Sequence, residues 1–263
     1  MGKPQLAKAL NLVLGAGYVM LGFEDANGNV PNFNYQAESS LQLNVSPETT
    51  KIQGEDTPTA EDLITISKSV SRSAKLTIKN ITDEILAAFS LGTYGTYIQA
   101  ATPVVDEACT FKKGAYIYFG KDASNPAGAK NVTAVTITDG TGTTTYTEGV
   151  GNDYILEADK GRAFIPLTST IVDDSAGLVD YTPAAETRSR VTSGSLGAKT
   201  AWMIFEGDNA NGENQTVDAP KVKLIPDGDF NLKDRDNPQA VSFTVEFETR
   251  TGYEQLYIDG EAA

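Results

Sequence analysis

Polar and apolar residues alternate with a period of two along most of the chain, the spacing of β-strands with one buried face. In 33–45, Phe33, Tyr35, Ala37, Leu41, Leu43 and Val45 fall on one side, and Asn34, Gln36, Glu38, Ser40, Gln42 and Asn44 on the other. That predicts one half-buried strand. In 63–80, Ile64, Ile66, Val70, Ala74, Leu76 and Ile78 share a face broken only by Lys68 and Arg72, while Thr65, Ser67, Ser69, Ser71, Ser73, Lys75, Thr77 and Lys79 share the other. This run is longer than an ordinary strand, so it predicts a bend, a bulge or two strands. In 240–250, Val241, Phe243, Val245 and Phe247 point in, and Ser242, Thr244, Glu246 and Glu248 point out. Between the first two runs lies the polar stretch 46–62, too long for a hairpin loop, which predicts a functional arm.

A single helix stands out, over 82–91. Thr82 suits the N-cap, and Asp83 and Glu84 face the positive end of the helix dipole. Ile81 can staple onto Leu86, Ile85, Leu86 and Phe89 form an apolar stripe, and Gly92 suits a left-handed stop. So short a helix needs a sheet to lie on. The middle, 101–195, differs in texture. Turn signals at Asn125-Pro126 and Asp139-Gly140 flank short apolar runs, and 152–167 reads as strand, turn at Asp159–Gly161, strand. The organisation expected is a β body in two parts, 1–100 and 196–263, with an inserted β module at 101–195. The apolar run 9–23 is read as a strand followed by a turn at Asn27-Gly28. It is too short and too broken by Asn11 and glycines for a membrane span, and no clear cleavage site marks it as a signal peptide.

Composition then removes whole chemistries. The 263 residues contain no His and one Cys, Cys109. That excludes a Ser–His–Asp triad, a Cys–His dyad, an intrachain disulfide and a His- or Cys-based zinc site. Net charge is 21 − 35 = −14, and residues 201–263 alone contribute 5 − 13 = −8. An acidic chain lacks the cations that give tight binding to nucleic acid. Residues 15–20 begin like a dinucleotide fingerprint but have Met20 at the third glycine. Residues 227–238 place Leu232 and Pro238 where a calcium loop needs Gly and Glu. Glu246 and Glu248, with Glu38 nearby if the strands pair, could serve a glycosidase. A hydrated acidic sheet face is the simpler reading. Catalytic, metal and cofactor sites are therefore all expected to be absent.

Taken in order, GYVMLGFEDANGNVPNFNYQAESSLQLNVSPE, the polar arm, ITISKSVSRSAKLTIKNITDEILAAFSLG and FTVEFETRTGYEQLYIDG resemble the major tail tube protein of long-tailed, siphovirus-like bacteriophages. The segment DGTGTTTYTEGVGNDYILEADKGRAFI resembles a β insertion found in some of them. The resemblance implies a tail-tube type β-sandwich or barrel with one flanking helix and an inserted small β module. It implies a structural virion protein that is not an enzyme and that forms homohexameric rings. These rings stack into a tube in the virion tail, assembled in the bacterial host cytoplasm and serving as the conduit for genome ejection. The implied partners are other copies of the chain, the tape measure protein, the tail terminator and the tail tip or distal tail proteins. Double-stranded DNA passes through unbound, and no membrane or cofactor is involved. On this resemblance the lumen side falls to Gln36, Glu38, Gln42, Glu246 and Glu248, and the inter-ring loop to Pro47, Glu48, Lys51, Glu55 and Asp56. The flanking helix carries Thr82, Ile85, Leu86 and Phe89. Lys75 and Lys79 are expected off the lumen or paired with acids. Two alternatives stay open: a secreted or surface β-rich adhesin, and a carboxylate-based hydrolase.

Overall fold

The computed structural model describes residues 15–25, 27–53, 62–194, 196–209 and 214–260. Its elements are almost all antiparallel strands. The described residues divide into two compact units, one running to Tyr94 and resuming at Val191, the other spanning Gly95–Arg190.

The first unit is built on one large sheet. Its strands are β1 (Gly17–Phe23), β2 (Asn34–Gln36), β3 (Ser39–Gln53), β4 (Asp62–Ile78), β13 (Lys199–Gly207), β14 (Gln215–Pro226), β15 (Val241–Phe247) and β16 (Tyr257–Gly260). The order is β2-β1-β13-β14-β15-β4-β3, and β16 pairs with the first part of β14 while β15 pairs with the second. Strands β1 and β3, with four strands between them in that order, touch each other, so the sheet curls back on itself. Its concave face holds Leu21, Leu76, Ile78, Met203, Val222, Leu224, Val241, Phe243 and Val245, all fully buried. The alternation in 241–247 is thus a one-sided strand, as its pattern predicts.

The helix α1 (Asp83–Phe89) closes over this core. Thr82 Oγ1 accepts from Ile85 N–H at 3.3 Å, and Ile85 and Ala88 enter the core with Phe89 packed against it. Leu86, expected in the same stripe, is only partly buried. The helix stop also differs from expectation. Leu91 takes the left-handed position, φ 50°, and Gly92 N–H closes onto Ala87 O at 2.9 Å. Gly92 is needed for another reason: a Cβ there would lie 1.9 Å from Thr192 O.

Two further corrections concern the predicted strands. The run 33–45 is two strands, because Glu38 adopts φ 52° and kinks the chain, so that β2 pairs with β1 and β3 with β4. The stretch 46–62 is not a loop throughout: 46–53 continues β3, and Asp62 already belongs to β4. The 17-residue β4 is one strand, and its ladder with β3 shifts register at Glu48/Thr49 and Ile52/Gln53.

The chain leaves the first unit along β5 (Thr93–Gln99) and returns along β12 (Glu186–Thr192), which pair with each other. Within the second unit, β6 (Val104–Thr110), β11 (Ala176–Pro183) and β8 (Val132–Asp139) form one three-stranded sheet. β7 (Tyr116–Tyr118), β10 (Arg162–Phe164) and β9 (Ile155–Glu157) form another. Phe111, Phe119, Ile137, Ile165, Ile171 and Val179 fill its core. The predicted strand–turn–strand in 152–167 is β9, a 3-10 turn at Ala158–Lys160, and β10. Gly161 ends that turn in the left-handed conformation, φ 60°.

Glu157 ties this second sheet together. Its carboxylate accepts from Arg162 Nε at 2.8 Å, Tyr116 OH at 2.9 Å and Lys160 Nζ at 3.2 Å. Those bonds, Arg162's foremost, hold it down to about 2. A carboxyl whose folded value lies below its ordinary value near 4.3 stabilises the fold above that pH and stops doing so as pH falls through about 2. Asp139 and Asp153 are lowered as well, mainly by backbone N–H donors. Stability of the second unit is therefore expected to fall between about pH 4 and pH 2. Acid titration followed by near-ultraviolet circular dichroism checks this, and Glu157→Gln should flatten the slope in that window.

Candidate self-assembly surface

Strand β15 pairs only with Ser73–Ile78 of β4. Beyond Ser73, β4 pairs only with β3, and the two run on as a two-stranded ribbon. Ten residues of extended chain, 44–53, span about 33 Å. A two-stranded hairpin is at best marginally stable in water unless a face is covered. Here the described residues of both faces are exposed from Leu43 to Glu48 and from Ile64 to Ser71.

The two faces differ in chemistry. Beyond the register shift at Glu48/Thr49, where β4 has one extra residue, Ile52, Ile64 and Ile66 lie on the second face; the first carries Leu43, Val45 and Val70, all six between 42% and 55% exposed. The first continues the buried face of the sheet, since Leu41 pairs with Leu76 and Leu43 with Ala74. At its base the core opens in an apolar hollow of about 150 Å³ lined by Leu41, Leu43, Met203, Phe205 and Phe247 among others.

Up to that shift the opposite face is polar, and it extends across the sheet. One row runs Asn44, Ser73, Glu246 and Lys223, and the next runs Gln42, Lys75, Thr244 and Ile225. Thr77 and Ser242 share a hydroxyl–hydroxyl hydrogen bond of 3.0 Å, and Ser69 Oγ donates to Glu48 at 2.9 Å. Two of the cations on this side have acidic partners. Lys75 Nζ lies 3.2 Å from Asp227, and Lys221 Nζ 2.9 Å from Glu248. Such exposed pairs add little stability, but they cancel charge locally.

The residues predicted for the lumen side do not all lie together. Gln42 and Glu246 share the polar face, and Glu248, just past β15, is held by Lys221. Glu38 sits in the turn before β3, its carbonyl accepting from Lys79 N–H. Gln36 is buried, 3% exposed, and its amide donates to Asn34 O at 3.0 Å. The turn at Glu38 breaks the alternation that placed Gln36 beside Gln42. Of the predicted loop residues, Pro47, Glu48 and Lys51 lie in β3, and Glu55 and Asp56 fall outside the described residues. The apolar ribbon residues Ile52, Ile64 and Ile66 were missing from the expected site. Their signal was present, as three isoleucines flanking a segment otherwise polar enough to pass for a loop.

No group of three or more potential metal-ligating side chains occurs among the described residues. Cys109 is half-buried, and burial, aided by Glu107, pushes its thiol up to about 11, so little reactive thiolate forms at neutral pH. No helix among the described residues is long and apolar enough to cross a membrane.

The fold and this surface define a mainly β protein: a curled antiparallel sheet with one covering helix, a two-stranded ribbon with exposed apolar side chains running out of the sheet, and a second β unit. A family model described as protein of unknown function UCP028589 matches residues 12–250, and the chain belongs to that family. No curated protein matches the chain.

Proposed function

We propose that this protein is a tube-forming structural subunit, the major tail tube protein of a long-tailed bacteriophage. Copies assemble as hexameric rings that stack around a tape measure protein, capped by tail terminator and tail tip proteins, and leave a conduit for DNA. The observation that carries this reading is the ribbon with its uncovered apolar side chains, Leu43, Val45 and Val70 on one face near the sheet and Ile52, Ile64 and Ile66 on the other farther out. A ribbon of this kind, continuous with a well-packed core, is stabilised when a neighbouring copy covers it. In the assembly the polar face lines the bore. Hydroxyl and amide groups there hydrate without gripping phosphate, and Glu246 repels DNA over the roughly 8 Å allowed by screening. Asp227 and Glu248 neutralise Lys75 and Lys221 on the same side, which weakens any cationic track for DNA to adhere to.

The double substitution Ile64→Thr, Ile66→Thr tests the reading at its source. Each change removes about 1 kcal/mol of apolar burial from an interface, together roughly thirtyfold in association. Sedimentation velocity should show assembly shifted to correspondingly higher protein concentration with the subunit still folded. Unchanged assembly would remove the ribbon from the interface.

A further inference from the structure

We propose that the second unit carries a binding cleft for an uncharged, hydroxyl-rich saccharide. The cleft is open and has a volume of about 530 Å³, within the range of small-ligand sites. Tyr97 and Gln99 of β5, Glu107 of β6, Lys121 and Asn125 of the loop after β7, and Tyr181 of β11 form its walls. These segments meet only in the folded unit. Nothing in the proposed assembly of the first unit uses them, and the inference stands apart from that reading.

The walls are fixed before any ligand arrives. Gln99 is buried, its Nε2 donating to Lys130 O and Ala184 O at 2.8 Å each and its Oε1 accepting from Lys130 N–H at 3.0 Å. Asn125, also buried, accepts from Arg188 Nη2 at 3.0 Å and Arg190 Nη2 at 2.9 Å and donates to Gly120 O. Glu107 receives Gly120 N–H at 2.9 and 3.0 Å, and Tyr181 OH at 2.5 Å. Arg190 and Arg188 also stack on the Tyr97 ring, at 3.8 and 4.7 Å. A pre-set cleft avoids most of the ordering cost of binding.

The lining chemistry selects the ligand. Tyr97 supplies ring surface suited to the C–H face of a pyranose, while the Tyr181 ring is buried against Phe119 and only borders the cleft. Glu107 and Asp122 supply carboxylate acceptors, and Thr102 and Ser124 supply hydroxyls. Lys121 is the one cation in the lining. It sits 4.8 Å above the Tyr118 ring and has no ion-pair partner among the described residues. Two carboxylates against one ammonium disfavour a phosphate-rich or uronate-rich ligand. A sugar hydroxyl both donates and accepts, so it can use the acids and the lysine at once.

The test uses the full chain and ligand-observed NMR. The probes are maltohexaose, cellohexaose and chitohexaose, with oligogalacturonate and an eight-nucleotide oligothymidylate as charged comparators. Saturation transfer to at least one neutral oligosaccharide is expected, with affinity lowered roughly tenfold by Lys121→Ala, the loss of one charge-assisted hydrogen bond. Tyr97→Ala should abolish it. Lys121 is exposed, so its variant keeps the test decisive if Tyr97→Ala fails to fold. Three results would overturn the proposal: no transfer to any neutral probe, binding of a charged comparator alone, or neutral binding indifferent to Lys121→Ala.

Discussion

Replacing residues 47–70 with Asn-Gly is expected to leave a folded protein that no longer assembles. Ser46 and Ser71 face each other across the β3–β4 ladder, so a two-residue type I′ turn joins them without strain. The excision removes no side chain of the first unit's core. It does remove Ile52, Ile64, Ile66 and Val70, each close to half exposed. If a neighbouring copy buries what remains, each contributes about 1 kcal/mol, and losing four costs about 4 kcal/mol per contact. That is roughly a thousandfold in the association constant. Light scattering should therefore find no polymer at concentrations where the parent chain is fully assembled, while the thermal midpoint moves by only a few degrees. A variant that assembles like the parent would place the contacts elsewhere.

The second large effect concerns the core beneath α1. Phe243 is fully buried and meets Phe89 of the helix edge-on, centroids 6.2 Å apart, and Phe89 in turn meets Phe230 at 5.9 Å. Phe243→Ala is expected to cost about 3–5 kcal/mol, from lost burial and the cavity left behind. Typical domains have only about 5–15 kcal/mol in hand. Trp202 is the sole tryptophan and belongs to the first unit, so its fluorescence in urea reports that unit's unfolding. A loss below about 1 kcal/mol would mean that the helix is not anchored through this ring.

What the sequence made legible follows from how local each signal is. The strand at 241–247 and the cap at Thr82 were readable because burial and capping are decided within a few residues. The turn at Glu38 was hidden. Polar–apolar alternation runs straight through it, and Glu is not a residue that announces a positive φ. The same turn explains why Gln36 is buried and not on the polar face. Of the ribbon, only the β3 half at 46–53 reads as a loop, because Pro47 and the Thr-, Glu- and Asp-rich stretch after it mask the alternation. Leu91 at the helix stop went unseen because Gly92 beside it is the expected occupant. The cleft of the second unit had no sequence signature, since Tyr97, Glu107, Asn125 and Tyr181 are brought together by three different strands and a loop.

The account rests on a ribbon whose exposed apolar side chains are covered by other copies of the same chain around a polar bore. Electron microscopy of the purified full chain, raised through its assembly concentration, tests that most directly. The expected image is a hollow tube whose reconstruction turns Gln42, Lys75, Thr244 and Glu246 toward the channel and buries Ile64 and Ile66 between subunits. Solitary particles at every concentration, or a polymer with that polar face outward, would contradict it.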